Sequence, residues 1–173
     1  MREFSADGAA VTEHQTPHLT VRTSVSNPSV YAGSRLTLMA TIALPEKMHV
    51  YAPGVDKPYI PIDWTIAESP AYTAFPVEYP QSRKLELKAI GETALVYEGK
   101  VALVRDIKIA QFRDAEKAAK NGKLTIEGGF KYQACDDRIC YAPQTVPLRW
   151  ELELTPYDRQ RAPAELRGPG GVN

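Results

Sequence analysis

From residue 145 to residue 154 polar and apolar side chains alternate without a fault, Thr145, Pro147, Arg149, Glu151 and Glu153 against Val146, Leu148, Trp150, Leu152 and Leu154. A period of two over that length specifies a strand with one buried face. Upstream, Leu124, Ile126, Phe130 and Tyr132 share one parity and read as a second strand of the same kind. Residues 123–154 therefore predict a β-hairpin, with the segment from Gln133 to Pro143 at its turn end. That segment holds Cys135 and Cys140, the two cysteines of a 173-residue chain. Cys135 has the parity of Lys131 and Gln133, so it is expected to point away from the face that buries Tyr132. The reading places a thiol at an exposed hairpin tip.

The rest of the chain follows the same pattern. Residues 1–17 show no periodicity and predict a flexible lead-in. Leu19, Val21, Thr23 and Val25 alternate with polar neighbours, and Leu36, Leu38, Ala40, Ile42 and Leu44 mark a second strand with one apolar face. Met48 to Tyr51 is a short strand, followed by a proline-rich loop-like stretch through residue 62. Trp64 and Ile66, then Tyr72 to Val77, begin two more strands. The pattern from Leu85 to Glu92 is weak. Leu95 to Ile109 predicts two strands with a break near Glu98-Gly99 or Arg105-Asp106. Residues 111–120 are good helix formers, with Asn121-Gly122 as a stop. From Pro156 the chain turns polar and glycine-rich, which reads as a linker or tail over 156–173. Short strands, many turns and one short helix predict an all-β, immunoglobulin-like β-sandwich over residues 18–155.

Bulk properties narrow the function. Lys plus Arg and Asp plus Glu stand at 21 each, so no basic field argues for nucleic acid or an anionic membrane surface. No apolar run approaches the roughly 18–20 residues of a membrane span. The first residues have no apolar signal-peptide core.

A bridge between Cys135 and Cys140 would close a ring of six residues, for which the chain-entropy argument gives only about 2 kcal/mol. That is a small return for a domain of this size and tilts the pair toward redox chemistry, in which a thiolate exchanges through a mixed disulfide. Lys131 and Arg138 favour a thiolate, while Asp136 and Asp137 oppose it. A passive disulfide and two structural free cysteines stand as alternatives. A zinc set drawn from the cysteines with His14, His18 and His49 is possible on paper, but Cys-x4-Cys is wider than the usual zinc knuckle and His14 and His18 lie in the unpatterned lead-in. Neither a metal nor a cofactor is expected. His49 and Tyr51 share a strand face, either as ordinary strand residues or as lining of the cysteine site.

Tyr132-Gln133-Ala134-Cys135, then Cys140-Tyr141-Ala142-Pro143, then Thr145-Val146-Pro147-Leu148 resembles the N-terminal periplasmic domain of the thiol:disulfide interchange protein DsbD family. His49-Val50-Tyr51 resembles that family's strand beside the active site, and Val96-Tyr97-Glu98-Gly99 the strand after its cap loop. The similarity spans about residues 18–155 and is strongest over 123–150. It implies an immunoglobulin-like, extracytoplasmic thiol:disulfide oxidoreductase domain without a cofactor. It also implies electron transfer between a membrane-embedded thiol reductant and thioredoxin-like partners of the periplasm, with a place in cytochrome c maturation. Carried across, Cys140 is the attacking thiol and Cys135 the resolving one. His49, Tyr51, Tyr132, Gln133, Tyr141 and Pro143 line the site, and a cap loop lies within 86–95, around Ile90, Gly91 and Glu92. The rival expectation is an immunoglobulin-like binding module with an inert disulfide.

Overall fold

A computed structural model describes residues 11–87 and 91–156. In chain order the strands are β1 (Thr12–Gln15), β2 (Thr20–Val25), β3 (Ser29–Val30), β4 (Arg35–Ala43), β5 (His49–Tyr51), β6 (Asp63–Ile66) and β7 (Tyr72–Glu78). They continue as β8 (Arg83–Leu87), β9 (Glu92–Glu98), β10 (Lys100–Ile109), β11 (Lys123–Tyr132), β12 (Ala134–Cys135) and β13 (Gln144–Leu154). The helix α1 (Phe112–Ala118) precedes β11 and ends before Asn121 and Gly122, both at positive φ.

Among the described residues these strands form three sheets, ordered β1-β2-β4-β10-β7, β3-β13-β11-β6 and β12-β5-β9-β8. The first two face one another as an immunoglobulin-like sandwich. Val21, Leu38, Ile42, Leu103 and Ile107 from one meet Trp64, Ile126, Phe130, Leu148 and Trp150 from the other in a single core. Trp64 and Trp150 stack with ring centroids 5.7 Å apart, and Trp150 Nε1 donates across the sandwich to the Ser24 carbonyl. Arg105 donates from β10 to the carbonyls of Phe75 on β7 and Trp64 on β6, tying the two sheets at their rim.

The alternation predicts the faces correctly. β13 buries Val146, Leu148, Trp150 and Leu152, and β11 buries Leu124, Ile126, Phe130 and Tyr132. The two strands pair antiparallel over ten positions, from Lys123↔Glu153 to Tyr132↔Gln144. One interruption was expected, near Glu98-Gly99 or near Arg105-Asp106, and the chain is interrupted at both places. Gly99, at positive φ, separates β9 from β10, and the β10–β7 register shifts between Arg105 and Ile107.

One boundary needs correcting. The expected lead-in contains β1, which pairs antiparallel with β2 from Thr12↔Thr23 to Gln15↔Thr20. Its side chains are mostly exposed, so this edge strand has no apolar face to write a pattern into the sequence. Residues 1–10 of that lead-in, cap residue Ile90 and nearly all of the expected tail (157–173) lie outside the described residues.

The third sheet positions the site. All three residues of β5 are buried, but on opposite sides. Val50 joins the main core together with Tyr97 and Ala134. Tyr51, Val96, Ala94 and Cys135 form a second, smaller cluster, with Val55, Tyr59, Leu85 and Leu87 packed against it.

Candidate active site

Cys135 and Cys140 form a disulfide with their Cα atoms 4.0 Å apart. The ends of the connecting turn are closed by backbone bonds, Asp136 N–H to the Ile139 carbonyl and Tyr141 N–H to the Ala134 carbonyl. Asp136 organises the loop. One carboxylate oxygen accepts from the backbone N–H groups of Arg138 and Ile139, and the other accepts from the Tyr141 hydroxyl at 2.8 Å. The Ile139 and Arg138 amides, with the Tyr141 hydroxyl, hold the Asp136 carboxyl below its usual range. Gln133 Nε2 donates to the Tyr141 carbonyl and clamps the far side of the same turn.

The two sulfurs are not equivalent. Cys135 is 1% exposed, whereas Cys140 is exposed. This corrects the expectation that Cys135 points outward. Parity carries through a strand only while the chain stays in one sheet. At Gln133 it leaves β11 and re-enters as β12, pairing with β5 through Ala134↔Val50 and Cys135↔His49. Ala134 then faces the main core and Cys135 the second cluster.

Tyr51, buried beneath the disulfide, reaches both sulfurs. Its hydroxyl oxygen lies 3.4 Å from Cys135 Sγ and 3.5 Å from Cys140 Sγ. In a disulfide neither sulfur carries a proton, so the phenol is the donor. Burial pushes the Tyr51 phenol up to about 12, with neighbouring Tyr59 acting in the same direction, so this donor keeps its proton through ordinary pH. Tyr59 covers the Tyr51 ring at 4.6 Å between centroids, and its own hydroxyl donates to Glu92 at 2.9 Å.

His49 therefore lies opposite Cys135 in the ladder and Tyr51 touches both sulfurs, while the β8–β9 hairpin supplies Leu85, Leu87, Ala94 and Val96 to the Cys135 cluster and Glu92 is tied to it only through the Tyr59 hydroxyl. Gly91 stands at positive φ in the turn before β9. Gln133 and Tyr141 shape the turn, and Pro143 is exposed. Tyr132 belongs to the main core, its hydroxyl 2.8 Å from both Thr16 Oγ1 and Gln144 Oε1. His18, which the sequence places in an unpatterned lead-in, stacks on Tyr141 at 4.1 Å between centroids. Tyr59 and Asp136 were also missed as site residues. The Asp136-x-Arg138-Ile139 spacing fits an Asx-type turn and was a usable signal. Tyr59 lies in a proline-rich loop with no periodicity to place it.

The arrangement exposes one sulfur of a strapped disulfide to an incoming thiolate and keeps the leaving sulfur in an apolar cluster. The chain matches the family model for the thiol:disulfide interchange protein DsbD, N-terminal, over residues 16–149. It belongs to that family. The crystal structure of the N-terminal periplasmic domain of ScsB from Proteus mirabilis is similar, with a TM-score of 0.56 at 12% identity. The alignment covers 82% of this chain and 50% of that one, so this chain spans about half of the solved relative. No curated protein sequence matches it. Family membership and the Cys135–Cys140 disulfide together mark this DsbD N-terminal domain as a thiol–disulfide exchange domain.

Proposed function

We propose that this domain relays electrons as a protein-disulfide reductase in an extracytoplasmic compartment, receiving them from a membrane-embedded thiol reductant and delivering them to thioredoxin-like partners. The observation that carries the direction of attack is the difference in exposure between the two sulfurs. Cys140, open to solvent and flanked by Ile139 at 54% exposure, is the sulfur a partner can meet. Reduced Cys140 attacks the partner disulfide, and Cys135 then attacks Cys140 Sγ to release the partner as a dithiol. The cap role falls to the β8–β9 hairpin together with the loop that carries Tyr59.

Trapping tests this directly. A Cys135→Ser domain is expected to accumulate a mixed disulfide with a thioredoxin-like protein through Cys140, and a Cys140→Ser domain to accumulate none. The potential of the wild-type pair should fall between about −180 and −270 mV, the span of exchange catalysts. A potential well below about −300 mV, with no trapped complex, would assign a structural bridge and a binding module instead.

A further inference from the structure

One buried titratable group has no part in the exchange chemistry described above. His49 is 4% exposed, and its Nε2 is enclosed without a hydrogen-bond partner among the described residues. Its place in the third sheet is specific. Cys135 on β12 pairs with His49 on β5, and His49 pairs with Glu98 on β9. Residues directly opposite in an antiparallel ladder share a face, with Cβ atoms roughly 4.5–5.5 Å apart. Thiol, imidazole and carboxylate thus occupy one row across three neighbouring strands. Glu98 is fixed at the far end by Arg83, with Nε to Oε2 at 2.8 Å.

The resolving step needs such a row. Before Cys135 can attack, its thiol must lose a proton, because the thiolate is the nucleophile. At 1% exposure bulk water does not reach it, and burial in the apolar cluster opposes ionisation. We infer that His49 is the general base of the resolving half-reaction, taking the Cys135 thiol proton while Glu98 stabilises the imidazolium. This rests on the exchange reading above. The Cys135 thiolate then forms a bond to Cys140 Sγ, and the bond between Cys140 Sγ and the partner sulfur breaks. The partner leaves as a thiolate, which takes up a proton. The cysteine pair is oxidised by two electrons and the partner disulfide is reduced by the same two.

The surroundings suit the role. Burial lowers the His49 pKa, so the ring is a neutral acceptor at neutral pH. Glu98, Asp137 and Asp136 act against that burial and favour the imidazolium once it forms, while Arg83 opposes it. Tyr51, edge-on to His49 at 5.5 Å between centroids, remains a protonated donor to the sulfurs and does not compete for the proton.

The test uses the reduced domain and an excess of an aromatic disulfide that releases a coloured thiolate. The first release reports attack by Cys140, and the second reports ring closure by Cys135. In wild type the second rate should be flat between the His49 and Cys135 pKa values, because the thiol–imidazole and thiolate–imidazolium forms carry the same number of protons. In His49→Gln it should instead rise about tenfold per pH unit over that range, following the free thiolate. At the low end of that range the variant should be slower by at least about tenfold, the lower side of what a positioned base supplies. The first release should be unchanged. Parallel profiles in the two proteins, or equal slowing of both releases, would overturn the assignment. Should the variant fail to fold, the wild-type profile decides, since a continuous rise without a plateau excludes a buried base. No first release at all would instead defeat the exchange reading itself.

Discussion

Tyr51→Phe isolates the electrostatic contribution of one hydroxyl. The phenol is 1% exposed and touches both sulfurs, so its removal deletes a donor from the site and leaves the ring packing against Tyr59 and His49 in place. In the disulfide form that donor meets weak acceptors and contributes little. On reduction it meets a thiolate, and hydrogen bonds to charged groups contribute roughly 1.5–3 kcal/mol. At about 1.4 kcal/mol per pKa unit, loss of the hydroxyl should raise the Cys140 thiol pKa by about one to two units. Sharing between two sulfurs and the exposure of Cys140, where water replaces part of the lost bond, place the outcome at the lower end.

The rate of alkylation by iodoacetamide, followed against pH in the reduced domain, reads this shift. Buried Cys135 stays silent on that timescale. The inflection should move up by about one unit in Tyr51→Phe. Above the inflection the variant's reduced form is then less stable by about 1.4 kcal/mol, which makes the potential about 30 mV more negative. An inflection that stays in place, or moves down, would refute the claim that the hydroxyl donates to the Cys140 thiolate.

Two further changes test the scaffold around the site. Asp136→Ala removes the acceptor for two amides and the Tyr141 hydroxyl, so the loosened turn should hold the thiols together less well. A larger reduced fraction is expected at a fixed glutathione ratio, and an unchanged fraction would show that the ladder alone sets the approach of the cysteines. Because the Asp136 carboxyl is held below its usual range, its contribution is present above about pH 3.8 and is lost as pH falls through the lowered value, so acid should mimic the substitution. Gly128→Ala would set a Cβ 2.3 Å from the Thr65 carbonyl oxygen and 3.0 Å from Ile66 Cδ1. Displacing edge strand β6 should cost about 1–3 kcal/mol in urea unfolding, and an unaltered midpoint would mean that β6 shifts freely.

The sandwich was legible because its strands bury one face each. Leu36, Leu38, Ala40 and Ile42 on β4 and the apolar residues of β13 write that burial directly as a period of two. The edge strands were less visible. β1 has no buried face, and β8, which contributes only half-buried Leu85 and Leu87, left the weak pattern noted from Leu85 onward. Within the site, the cysteine pair and the His49–Tyr51 face were legible, but the identity of the buried sulfur was not. Parity cannot report a change of sheet, and the chain makes that change at Gln133, one residue before β12. The row of Cys135, His49 and Glu98 has no sequence signal, since its members lie on three strands brought together only by the third sheet.

That third sheet also explains how the pair can be opened without unmaking the fold. The disulfide closes a six-residue ring, whose removal costs about 2 kcal/mol in chain entropy. The ten-position β11–β13 ladder, the Tyr141-to-Ala134 backbone bond and the Asp136 turn all hold the two cysteine backbones without the sulfur bridge. Ala134 anchors β12 in the main core on the face opposite Cys135, so reduction frees a sulfur but not a strand. The relay proposed above requires both forms to present the same surface to successive partners. The buried sulfur on a short strand held by backbone pairing and core packing, and the exposed one on the turn that strand leads into, suit that requirement.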